Sequence, residues 1–247
     1  MGLLSIAVLF ADEDVLAVNK PAGITVTHDG TRKESPTLAE RLHQSYGDLL
    51  PVHRLDRDTS GVVVLARHPD AHRGLNQLFE THAVEKVYHL IVFGTPDWEE
   101  RQVEAPLLPD GDRRHRTIVD AEAGKPSLTT FRVLQRFQRH ALLEARPLTG
   151  RTHQVRVHAA LVGLPIVADP LYGDGAPLLL SSLKRSYRAG EEPERPLIGR
   201  LALHAQRLAF PHPRTEKLLE ILAPYPKDFR AALNQLAKHA RLSPAHW

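Results

Sequence analysis

Strand-like runs outnumber helix-like ones along this chain, and they follow one another through short turns and long loops. A doubly wound parallel sheet needs strand and helix in regular alternation, so the order argues for an α+β fold instead. Residues 3–10 and 15–19 read as strands joined by the acidic turn Asp12-Glu13-Asp14, and 24–27 as a further β-like run. Residues 31–36 form a polar loop. Thr37 can cap a helix that carries Leu38 and Leu42 on one face. A dense polar run, 53–61, leads straight into an apolar strand at 62–66. Pro69 suits the first turn of a helix whose apolar face is Leu75, Leu78 and Phe79. Residues 87–93 alternate as a strand, 94–127 read as hairpins and loops, and 129–137 with 141–146 suit paired strands. A helix is expected from about His153 to Leu161, stopped by Gly163 and Pro165. Residues 173–199 are loop-like, 201–210 and 217–222 form a hairpin, and 226–242 a last amphipathic helix. With no repeat and no linker, residues 1–247 read as one continuous domain.

Composition narrows the chemistry. The chain has no cysteine, which excludes a disulfide scaffold, a thiol nucleophile, Cys-ligated zinc and an iron–sulfur cluster. Its apolar stretches are too short for a membrane span, and the first apolar run lacks the basic flank of a signal peptide, so a cytoplasmic location is expected. The formal charge is +3, yet residues 101–160 alone sum to +5, and 24 of the 32 basic residues are Arg. That points weakly to a polyanionic partner for the middle of the chain. His68 and His72 lie four apart, but Pro69 puts His68 at a helix boundary and spoils the geometry of a metal pair. No metal site is expected. There is no P-loop, no Gly-rich dinucleotide fingerprint and no nucleophile elbow.

Four short segments carry the reactive residue types. In 53–61, Asp56 lies within two residues of Arg54 and Arg57, and nearby cations favour an ionised carboxylate. Asp-Thr-Ser-Gly is also sound turn chemistry, so the run reads equally well as a charged turn. In 150–158, Thr152 can cap the helix, while Arg156 borders the apolar stripe of Val155, Ala159 and Val162 and calls for an anionic partner such as Asp56. Tyr88, beside Lys86, is either a core ring or a platform for a base. Asn19-Lys20-Pro21-Ala22-Gly23 breaks a strand and by itself is a turn.

Together these segments resemble the RluA-type RNA pseudouridine synthases. Residues 53–61 match that family's HRLDRxTSG signature, Asn19-Lys20-Pro21-x-Gly23 its NKPxG motif, Lys86-x-Tyr88 its K-x-Y, and 150–158 its GRTHQIRVH with Val155 for Ile. Gly163-x-Pro165-Ile166-x-x-Asp169-x-x-Tyr172-Gly173, Leu203-His204-Ala205 and Phe210-x-His212-Pro213 match later segments, so the resemblance spans about residues 8–235. Ala168 stands where the family usually has Gly, and 173–199 is longer than in short members. No separate S4-like RNA-binding domain is expected.

The resemblance implies a mixed, mainly antiparallel sheet with a central cleft flanked by helices and loops, and isomerisation of uridine to pseudouridine in ribosomal or transfer RNA. It implies an RNA partner and a redox-neutral reaction without phosphate transfer, so no cofactor and no metal are expected; no membrane partner and a monomer are expected as well. Asp56, Arg156 and Tyr88 are the implied catalytic residues: a carboxylate, its cationic partner and a ring stacked on a flipped uracil. Arg54 would fill the space that the base leaves. Substrate contacts are also implied for His53, Arg57, Thr59, Lys86, Arg151, Thr152, His153, Asn19 and Lys20. The carboxylate can attack sugar or base, or abstract a ribose proton; the residues leave these routes open. Arg113, Arg114, His115, Arg116, Arg132, Arg136, Arg139, Lys184 and Arg185 are candidates for phosphate contacts. A glycosidase-like hydrolase and a pure RNA-binding module are the competing readings.

Overall fold

The computed structural model describes residues 6–28 and 36–240. The expected polar loop at 31–36 falls almost wholly outside the described residues, as do the first residues of the first expected strand and the last two of the final helix. The fold is α+β, with twelve strands and four helices among the described residues. These divide into two compact units, 1–87 with 204–224, and 88–203 with 225–247.

The first unit is built on Ala7–Ala11 (β1), Val15–Lys20 (β2) and Ser60–Ala66 (β4), in the order β1-β2-β4 with antiparallel pairing. Leu50–Pro51 (β3) adds a short antiparallel pair to β4. Leu203–Pro211 (β11) joins β4 through the parallel pairs His204↔Ser60 and Ala205↔Gly61, and Leu218–Leu222 (β12) completes the expected hairpin with β11. Every residue of β4 is buried, so this strand shows an unbroken apolar run where a one-faced strand would alternate. Val62, Val64 and Ala66 pack with Leu75, Phe210 and Ile221. Leu38–Tyr46 (α1) is fixed by a full capping box, Thr37 with Glu40. Pro69–Glu80 (α2) starts at Pro69, and the side chain of His68 accepts the Ala71 N–H. Residues 24–27 are not a strand: Thr25 instead offers its carbonyl to Leu38 N–H, at 2.8 Å.

The chain enters the second unit within Glu85–Phe93 (β5). Here β5 pairs antiparallel with His140–Pro147 (β10), which pairs with Leu128–Arg136 (β9), which pairs with Glu100–Glu104 (β6). Leu107–Leu108 (β7) and Ile118–Val119 (β8) form a separate ribbon. Gln154–Leu161 (α3) and Lys227–His239 (α4) supply Val155, Ala159, Phe229, Leu233 and Leu236 to the core, against Leu90, Phe131 and Leu142. Residues 173–199 hold no helix or strand, only an isolated bridge between Leu178 and Ile198. Among the described residues, no helix is long and apolar enough to cross a membrane.

Candidate active site

In the first unit, register brings two of the four segments together. Lys20 is paired with Gly61 across β2 and β4, so the strand end bearing Asn19-Lys20 lies beside the turn that bears Asp56. The two are then joined by backbone groups. The carbonyl of Arg57 accepts the Gly23 N–H at 2.8 Å and the Lys20 ammonium at 3.0 Å. Lys20 also donates to the carbonyls of Ile24, at 2.8 Å, and Pro21, at 3.1 Å. Thr59 N–H closes the turn on the Asp56 carbonyl at 3.1 Å. Asp56 is half-buried, and Arg54 and Arg57 are exposed.

Gly61 explains how β4 can begin so close to β11. Its φ is +121°, and a Cβ there would stand 2.1 Å from the Ala205 carbonyl oxygen. Next to it, Ser60 Oγ lies 2.9 Å from His204 Nδ1, and Nε2 of that fully buried ring donates to the Ala223 carbonyl. Ser60 must then be the donor to Nδ1.

Several residues expected at the substrate are occupied in holding this turn. Lys20 is fully buried, so its charge faces carbonyls. Thr59 is buried, and its hydroxyl has no hydrogen-bond partner among the described residues. His53 stacks on Phe79 at 4.8 Å, and its Nε2 accepts the Val64 N–H at 2.9 Å. This continues the β3–β4 ladder with a side chain. Burial, and then the charge of Lys86, push the His53 pKa down to about 3, so the ring is neutral. Asn19 donates to the Pro224 carbonyl at 3.1 Å. Burial lowers Lys86 to about 8.

In the second unit, α3 is buried all round from Gln154 to Ala159. The expected Thr152 cap does not form. His153 takes the N-cap position in a left-handed conformation, φ +56°, with no side-chain cap bond. The Gln154 side chain folds back instead: its Oε1 accepts Arg151 N–H at 3.0 Å and the Thr149 hydroxyl at 2.7 Å, and its Nε2 donates to Leu128 O at 2.9 Å. Arg151 also reaches the Pro126 carbonyl, at 3.4 Å. His158, fully buried, lies between Thr129 Oγ1 and Ser127 Oγ at 2.9 and 3.1 Å. Arg156 is buried, and Asp169 grips it by Nε at 2.8 Å and Nη2 at 2.7 Å. Asp169 thus provides an anion for Arg156 from beyond the end of α3, in addition to the Asp56 that the sequence suggests. Tyr88, opposite Ala145 in the β5–β10 ladder, is half-buried against this unit's core.

A family model described as RNA pseudouridylate synthase matches residues 14–161, well over half of the chain. The chain belongs to the RNA pseudouridylate synthase family. It is an isomerase that converts uridine in RNA to pseudouridine. The enzyme is 34% identical over 222 residues to a dual-specificity RNA pseudouridine synthase RluA from Vibrio parahaemolyticus, covering 88% of this chain and 82% of that one. It is 38% identical over 232 residues to a ribosomal large subunit pseudouridine synthase C from Vibrio cholerae, covering 93% and 69%. The solved structure of human RNA pseudouridylate synthase domain containing 4 superposes with a TM-score of 0.72 at 26% identity, over 93% of this chain and 92% of that one.

Not every arginine expected at phosphate is available to the enzyme for that purpose. Arg116 is held by Asp112 and the Leu171 carbonyl, and Arg136 by Glu99 and the carbonyls of Pro96 and Trp98. Arg132 pairs with Glu144, and Arg139 lies over the Phe93 ring. Arg113, Arg114, His115, Lys184 and Arg185 are exposed. Asp12, Asp14 and His212 stand close enough to suggest a metal, but the His212 ring is satisfied without one. Its Nδ1 accepts the N–H groups of Arg214 and Thr215, so Nε2 carries the proton and donates to Asp12.

Proposed function

We propose that Asp56 is the carboxylate of the isomerisation, acting on a uridine flipped out of the RNA. What supports this reading is a half-buried carboxylate on a backbone held from both sides. The carbonyl of Asp56 receives Thr59 N–H, and that of its neighbour Arg57 receives both Gly23 N–H and the Lys20 ammonium. A group that must meet C1′ or C6 within a few tenths of an ångström gains from such a fixed frame. The C1′–N1 bond breaks, the uracil turns and C1′–C5 forms; C5 loses a proton and N1 gains one. Exposed Arg54, on the same turn, takes the space that the base leaves. For Tyr88 and Arg156, which belong to the second unit, the proposal rests on the motifs that carry them: Tyr88 stacks on the uracil, and Arg156 favours the ionised carboxylate. The target is ribosomal or transfer RNA; the ribosomal large subunit is the substrate in the name of the Vibrio cholerae relative.

Transcripts of both RNAs made with 5-tritiated uridine test this. Wild-type enzyme releases tritium, and Asp56→Asn releases none. Release by Asp56→Asn at the wild-type rate would remove Asp56 from the mechanism. The RNA keeps its mass, whereas a hydrolase would liberate uracil.

A further inference from the structure

Arg156 is held from two directions within the second unit. Asp169, itself fully buried, takes the Nε and Nη2 edge of the guanidinium in a two-pronged bond. The Tyr172 ring lies 5.2 Å from the guanidinium carbon. Both supports are themselves fixed. Oδ1 of Asp169 also accepts the N–H groups of Leu171, at 2.9 Å, and Tyr172, at 3.2 Å. The Tyr172 hydroxyl accepts Thr117 N–H at 2.9 Å and lies 3.0 Å from Nδ1 of His153, the left-handed residue that opens α3.

A packing role does not require this arrangement. Burying an ion pair rarely adds stability over apolar side chains of the same volume. What a fork on one edge and a ring on one face do achieve is a single orientation of the guanidinium plane.

We propose that Asp169 and Tyr172 are positioning residues of the isomerisation, which fix the plane of the Arg156 guanidinium. The inference rests on the role proposed above for Arg156. Asp169→Asn keeps the shape and removes the charge. Tyr172→Phe keeps the ring and removes the hydroxyl's two bonds. Single-turnover tritium release, with enzyme in excess over whichever tritiated transcript the wild type modifies, separates the saturating rate constant from the half-saturating enzyme concentration. The rate constant is expected to fall about 100-fold in Asp169→Asn and about 3- to 10-fold in Tyr172→Phe, with half-saturation within about threefold of wild type. Arg156→Lys falls at least as far as Asp169→Asn, and adding Asp169→Asn to it costs nothing further.

Wild-type rate constants in Asp169→Asn and Tyr172→Phe, with a slow Arg156→Lys, overturn the positioning inference alone. So do losses that simply add in the double variant. A wild-type rate in Arg156→Lys overturns the role of Arg156, and this inference falls with it. Should Asp169→Asn fail to fold, Tyr172→Phe decides: an unchanged melting temperature with an unchanged rate overturns the proposal.

Discussion

The two long motifs of this enzyme are held in opposite ways. The turn at 53–61 is held mainly by main-chain groups: carbonyls of residues 21, 24 and 57 around one lysine, a Gly23 N–H on Arg57, and a glycine whose missing side chain lets β11 approach. The segment 150–158 is held mainly by side chains: Gln154, Arg156 and His158 are all buried and each has named polar partners. The first design fixes a chain path and leaves Arg54 exposed beside it. The second fixes individual functional groups and leaves the chain path to the helix.

The contrast is broken most severely at Gly61. Gly61→Ala, which collides with the Ala205 backbone and strains φ, should cost at least about 3 kcal/mol in urea unfolding. Gln154→Leu comes next: it strips partners from Thr149, Arg151 and Leu128 and should cost about 2–3 kcal/mol by the same measurement.

Acid sharpens the picture of the first unit. His53 is held to about 3, below its ordinary 6.5, so between those values the unfolded chain binds a proton that the folded one does not. Stability should therefore fall as pH drops from about 6.5 toward 3, and His53→Gln should flatten that slope; an identical slope in the variant would show that His53 is not neutral in the fold. A smaller effect runs the other way. Ala168 sits at φ +57°, so Ala168→Gly should raise stability by up to about 1 kcal/mol in thermal unfolding. Least of all should follow from Gly150→Ala, whose Cβ meets nothing within 4 Å: a change within about 0.5 kcal/mol, although Gly150 stands in the same kind of signature as Gly61.

Local chemistry was legible in the sequence. The Thr37 cap, Pro69 at a helix start and Gly163 after a helix end all stand where their residue types require. The motifs also carried the family and the reaction. What the sequence hid was set by partners far along the chain. Residues 100–104 lay undistinguished in a stretch of hairpins and loops because their strand is completed by the distant β9. Residues 24–27 looked like strand, yet their backbone is claimed by the start of α1. Thr152 looked like a cap because nothing local reveals that His153 takes the N-cap position in a left-handed conformation. Asp169 lay in a matched segment, but its distance of 13 residues from Arg156, beyond the end of α3, concealed the pairing. Lys20 read as a charge for RNA because burial of a lysine among carbonyls leaves no trace in composition.

The discontinuity of the first unit has a consequence during synthesis. Its seven-residue central strand, β4, receives its parallel neighbour only when His204 reaches Ser60, 144 residues later. Between Val87 and His204 the ribosome must add the whole intervening stretch of the second unit, on the order of ten seconds of elongation. Throughout that interval the start of β4, at Ser60 and Gly61, lacks its β11 neighbour, the kind of open edge that invites pairing with another chain. The nascent enzyme thus shows its most aggregation-prone strand early and covers it late, and folding yield, not the stability of the finished molecule, is where weakening of β11 should first be felt.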